Sequence, residues 1–171
     1  MLEGTMSVVA AETAGVAEGR SRTLRRPDSG PRRRDLLARL SAMSLVDLDH
    51  ARGSHPAAET EATVVARAWL DLIHSGRSAS SWAVAAPVLR ETIGPEEWRT
   101  AVGSVRATLG RCHSRRLRSQ TIFQAFPGVP PGPYTVTRFE SGFETRPEVT
   151  ETVTTCLGDD GCWRVAAYFI R

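Results

Sequence analysis

The sequence predicts an α+β domain: N-terminal helices packed on an antiparallel sheet of about four strands. Three observations carry this. Apolar residues recur at helical spacing around Trp69, Trp82 and Trp98. From Tyr134 onward apolar and polar residues alternate, as in half-buried strands. Two turn-forming runs, at 127–133 and 158–161, punctuate that second part. Helices followed by strands form two layers, with the helices on one face of the sheet.

Residues 1–56 stand apart from this pattern. They are rich in Ala, Gly, Ser and Arg, with few aromatics and little periodicity, so a disordered or processed segment is expected there. Arg32, Arg33 and Arg34 before Leu36 and Leu37 resemble the arginine pair of a twin-arginine export signal. Arg39 interrupts the apolar stretch and Asp47 and Asp49 end it early, so a short amphipathic helix fits better. A misassigned start is a third reading. Residues 57–171 are then a single domain.

The first helix is expected over residues 57–75, with Val65, Trp69, Leu72 and Ile73 as one stripe and Gly76 as the cap. A second, short helix should start at Ser80 or Ser81, either of which can cap it, and Pro87 should break or kink it near its end. Gly94 and Pro95 followed by Glu96 and Glu97 signal a third start. Trp98, Ala101, Val102, Val105 and Leu109 make its stripe, and Gly110 stops it.

Strands are expected at 115–125, 134–144, 149–157 and 162–170. In the second, Thr135, Thr137, Phe139, Ser141 and Phe143 share a face. In the third, Val149, Glu151, Val153, Thr155 and Leu157 do so. The proline-rich run 127–133 cannot pair as a central strand and is a long turn.

Composition excludes several function classes. All 22 basic residues are Arg, and neither Lys nor Asn occurs, which points to a GC-rich genome, with a bacterial source expected. A net charge of +3 spread along the chain is not the basic stripe of a nucleic-acid binder. No apolar run approaches the ~20 residues of a membrane span. Cys112, Cys156 and Cys162 fit no zinc spacing, so no metal or cofactor is expected.

Glu151 is the residue hardest to assign to mere architecture. On a core-facing position its carboxylate needs a partner, and Arg106 and Arg115 are the candidates. It is either a pocket acid or base, a structural ion pair, or an exposed group in a slipped register. Tyr134 and Tyr168 could offer hydroxyls to a pocket. Arg111, His113, Arg115, Arg116 and Arg118 form a basic cluster, an anion site or a charged sheet edge. His74 sits at a helix end and carries no argued role. Cys156 and Cys162 flank a hairpin turn. One register places them face to face and permits a disulfide, whereas a left-handed bulge at Gly161 sets them diagonally.

From residue 63 to residue 171 the chain resembles a bacterial family known as domain of unknown function 4019. The pieces that carry the resemblance, in order, are Ala68-Trp69-Leu70, Ser81-Trp82, Ala85-Ala86-Pro87, Trp98, Val105-Arg106, Leu109-Gly110, Ser114-Arg115, Pro127-Gly128-Val129-Pro130 with Gly132 and Tyr134, Phe139 and Phe143, Glu151-Thr152-Val153, and Asp160-Gly161 through Tyr168-Phe169-Ile170. Thr108 stands where a proline would be expected, and Cys156 and Cys162 are not family features. The resemblance implies a curved sheet and a cone-shaped fold similar to nuclear transport factor two. It also implies an export-prone protein of the periplasm or cell envelope, with the cytoplasm as the alternative.

The expected function is a non-enzymatic accessory domain that binds a small ligand or a partner chain. Arg106, Arg115, Tyr134, Glu151 and Tyr168 are the candidate ligand contacts. The alternative is a small lyase or isomerase, with Glu151 as acid or base and Tyr168 or Tyr134 as the oxyanion donor. A homodimer paired through the sheet is compatible with the first reading.

Overall fold

In the computed structural model, residues 60–124 and 130–171 are described. The expectations for residues 1–56 lie outside them. Among the described residues four helices, α1 (Glu61–His74), α2 (Ser78–Ala83), α3 (Pro87–Thr92) and α4 (Pro95–Leu109), precede four strands. The strands are β1 (Cys112–Phe123), β2 (Tyr134–Phe143), β3 (Val149–Leu157) and β4 (Trp163–Ile170). They form one antiparallel sheet in the order β1-β2-β3-β4. The expected α+β class and order are thus what the chain adopts.

Thr60 caps α1, its hydroxyl accepting from the Thr63 amide at 3.3 Å. The buried stripe is Ala62, Ala66, Trp69, Leu70 and Ile73. It is rotated from the expected one, since Val65 and Leu72 are only half-buried. The small Ala62 and Ala66 let the helix lie close across β2, β3 and β4. Neither Ser80 nor Ser81 caps α2, which begins earlier, at Ser78. Ser81 is instead buried inside that helix, and its hydroxyl donates to the Ser78 carbonyl at 2.8 Å. Pro87 does not bend α2. It opens the separate helix α3, a position where its missing N–H costs nothing.

The third sequence-predicted helix, α4, starts at Pro95 and buries Trp98, Val102, Val105 and Leu109. Gly110 ends it at φ +74°, a conformation that favours glycine. Thr145, in the β2–β3 turn, donates its hydroxyl to the Leu109 carbonyl at 3.1 Å, satisfying a helix end. The core lies between α1, α4 and one face of the sheet, with Trp69, Trp98, Phe139 and Tyr168 at its centre.

Two register shifts interrupt β1–β2, and one interrupts β3–β4 between Thr154 and Thr155. Such shifts bend a sheet and change which face a residue meets. The β3–β4 shift lets Val165, Tyr168 and Ile170 all join the core, although strict alternation would separate Val165 from Tyr168. In the β3–β4 hairpin Gly161 has φ +74°, and the Gly158 amide bonds the Cys162 carbonyl at 3.0 Å. This is the diagonal register. Cys156 pairs with Arg164, and all three cysteines are free thiols.

Candidate functional site

Glu151 is wholly buried on the helix-facing side of β3. Its direct cross-strand neighbours are Phe139 and Ile170. Its hydrogen-bond partners come from the diagonal positions, which long side chains can reach. Ser141, diagonal on β2, donates its hydroxyl to Oε2. Tyr168, diagonal on β4, donates to Oε1 at 2.9 Å. Arg115 sits opposite Ser141 on β1 and donates Nε to Oε2 at 3.0 Å. From above, His74 in the last turn of α1 places Nε2 2.8 Å from Oε1. An ionised carboxylate can only accept, so in that state the imidazole Nε2 is the donor of this contact.

The arginine fork continues outward. Its Nη1 donates to Asp71 at 2.9 Å, and its Nη2 lies 3.7 Å from the Cys112 sulfur. The His74 ring meets Phe143 edge-on, with centroids 5.2 Å apart. The Trp69 ring bridges Trp98 and Tyr168 at centroid distances of 5.4 and 5.6 Å. The carboxylate is therefore held by donors from four elements, and its surroundings are aromatic.

Burial alone pushes the Glu151 carboxyl up. The His74 hydrogen bond and the Arg115 charge outweigh it and bring the group down to about 2. Burial and the adjacent Glu151 charge push the Tyr168 phenol well above its ordinary range. Burial also raises the Cys112 thiol, against the lowering by Arg115.

A depressed folded-state carboxyl contributes stability above its unfolded value of 4.5 and loses it as pH falls toward about 2. That interval corresponds to about 3 kcal/mol. Denaturant midpoints are expected to fall across this window, and Glu151→Gln to flatten that limb. A limb of equal size in Glu151→Gln would place its origin in other carboxylates.

Of the expected ligand contacts, Arg115, Glu151 and Tyr168 come together. Arg106 does not. It is exposed on α4, with its guanidinium over Gly76. Tyr134 lies seven residues along β2 from Ser141, roughly 23 Å away at strand rise. Its hydroxyl donates to the Pro130 carbonyl at 2.8 Å, and burial pushes it up to about 12. The basic cluster also divides: Arg115 turns inward, while Arg116 and Arg118 both reach Glu140.

His74, Ser141 and Asp71 were missed by sequence reasoning. A correct stripe would have exposed His74, which follows Leu70 by four residues and so shares its helix face. Ser141 was on the expected inner face of β2. Among the described residues no group of three His, Cys, Asp or Glu could hold a metal, and no helix is long and apolar enough to cross a membrane.

These features sit on a helical layer over an open antiparallel sheet. The chain belongs to the family described as Protein of unknown function (DUF4019), whose model matches residues 65–168. No curated protein matches the chain in sequence. Among solved structures it is similar to a ketosteroid isomerase candidate from Shewanella frigidimarina NCIMB 400. The two are 13% identical, the match covers 66% of this chain and 96% of the other, and the TM-score is 0.46.

Proposed function

We propose that this chain is a non-enzymatic binding domain, a rigid helix–sheet body that holds a small ligand or a partner chain. One observation supports this above the lyase or isomerase alternative. Each oxygen of Glu151 already accepts two donors, from His74 and Tyr168 on one side and from Arg115 and Ser141 on the other. An ionised carboxylate has about four acceptor sites, so all are engaged. A general base must reach a substrate proton, and an oxyanion donor must have its hydroxyl free. Glu151 and Tyr168 spend these capacities on each other. In this reading the web anchors α1 to β1, β3 and β4.

The test uses the reaction that the Shewanella protein's name describes. The full chain is incubated in deuterated water with a β,γ-unsaturated 3-ketosteroid. Neither isomerisation nor deuterium uptake at the α carbon is expected above the buffer rate. Turnover that disappears in Glu151→Gln while the variant remains folded would refute the binding reading and restore the isomerase.

A further inference from the structure

The end of the helix–sheet interface away from Glu151 has a different chemistry. On β2 the inner face reads Thr135, Thr137, Phe139 and Ser141, because residues two apart share a face. Phe139 lies in the core and Ser141 bonds Glu151, which fixes the direction in which Thr135 and Thr137 point. Thr135 is 1% exposed and Thr137 is 0% exposed. Neither hydroxyl has a hydrogen-bond partner among the described residues. Buried hydroxyls are nearly always paired, so two orphans on one face require a reason.

Their cross-strand neighbours are uncharged and mixed in polarity, with Ile122 opposite Thr135 and Val153 opposite Thr137. Gln120 pairs with Thr137 across β1–β2 and accepts the Thr63 hydroxyl of α1 at 2.6 Å. Thr155 pairs with Thr135 across β2–β3 and donates to its carbonyl at 3.4 Å. The nearby cation, Arg67, lies over the Phe139 ring at 5.2 Å. No carboxylate is among these residues.

We infer that Thr135 and Thr137, framed by Thr63, Gln120 and Thr155, form a binding site for a small uncharged polyhydroxyl compound. The inference rests on the binding-domain reading above and names the chemistry of the ligand. A hydroxyl both donates and accepts, so its best complement is a group that does the same. The two orphans are one pleat repeat apart, roughly 6.6 Å along the strand, a span that hydroxyls on one short polyol chain can bridge. A cationic guest would find no carboxylate among these residues to offset its desolvation, and the nearby cation, Arg67, lies over the Phe139 ring. Binding sites commonly retain such stability deficits, since the polar groups that would be removed for stability are those that hold the ligand.

Threonine methyl NMR spectra of the full chain test this. Xylitol and glucose serve as neutral probes, and propionate and ethylammonium as charged ones. Saturable shifts at the Thr135 and Thr137 methyls are expected with a neutral probe, with Thr150 on the opposite face unmoved. Thr135→Val/Thr137→Val should remain folded, unfold about 3 °C or more higher, and lose the probe response at Thr63 and Thr155. A lower unfolding temperature would overturn the proposal, because it would mean that the hydroxyls have structural partners, bound water included. A response to charged probes alone would overturn the ligand class, and shifts confined to another surface would overturn the location. Both leave the binding-domain reading standing. No saturable response to any probe would overturn the site itself, whereas steroid turnover in the earlier assay would refute the binding-domain reading.

Discussion

Replacing Glu151 with alanine is expected to cost about 3–5 kcal/mol, the range for breaking a buried ion pair by removing one partner. The loss is large because the partners stay behind. The Arg115 side chain is 8% exposed and would keep the Cys112 sulfur and Asp71, whose own side chain is 65% exposed. The Tyr168 and Ser141 hydroxyls would lose their acceptor inside the core. Exposed ion pairs contribute roughly 0–1 kcal/mol, so the Asp71 contact cannot compensate. Glu151→Gln should lie between the two, since an amide offers one acceptor oxygen where the site has donors on both sides. Urea unfolding followed by circular dichroism measures both variants. A native-like alanine variant that loses less than about 1 kcal/mol would show that the web is not an anchor.

Trp98→Ala should be comparably costly, about 3–5 kcal/mol, the range for emptying an aromatic core site. The Trp98 side chain is wholly buried, stacks obliquely on Trp69 and donates Nε1 to the Ser81 hydroxyl at 2.9 Å. It therefore ties α4 to α1 and α2 at once. Its removal leaves a void beside Trp69 and deprives Ser81 of one partner, although the Ser81 bond to Ser78 remains. Near-ultraviolet circular dichroism should lose intensity along with the fall in the unfolding midpoint. Unchanged aromatic signal and a loss below about 1 kcal/mol would mean that the ring faces a site that can collapse. With total stabilities of about 5–15 kcal/mol for such domains, either substitution removes a large share.

Local rules made much of this fold legible. Gly94-Pro95-Glu96-Glu97 marks the α4 start because proline and acids both suit a first turn. Alternation placed Glu151 with Val149 and Val153, and Ser141 with Phe139, on the inner faces of β3 and β2. Where the reading failed, two local signals competed. Ser80 and Ser81 look like caps, yet Ser81 is required inside α2 to accept Trp98 Nε1, a demand set by a helix seventeen residues away. The α1 stripe was misjudged because Leu72 is more apolar than Ala66. The sheet selects the small residue, because a helix must approach it closely.

Periodicity, start and stop signals and turn residues, all local properties of the backbone, determined from sequence alone the class and the helices-then-strands order, and alternation made an inward carboxylate on β3 one of the readings. The choice between Arg106 and Arg115 belonged to the tertiary structure, because it depends on which strand lies beside β2. So did the recruitment of His74, which needs the C-terminal turn of α1 to end above Glu151. The bulge at Thr154–Thr155, a property of two strands together, decided that Tyr168 faces inward with Val165. A side chain's face can be read from its own strand, but its partners come from chain segments that only packing brings within hydrogen-bond distance.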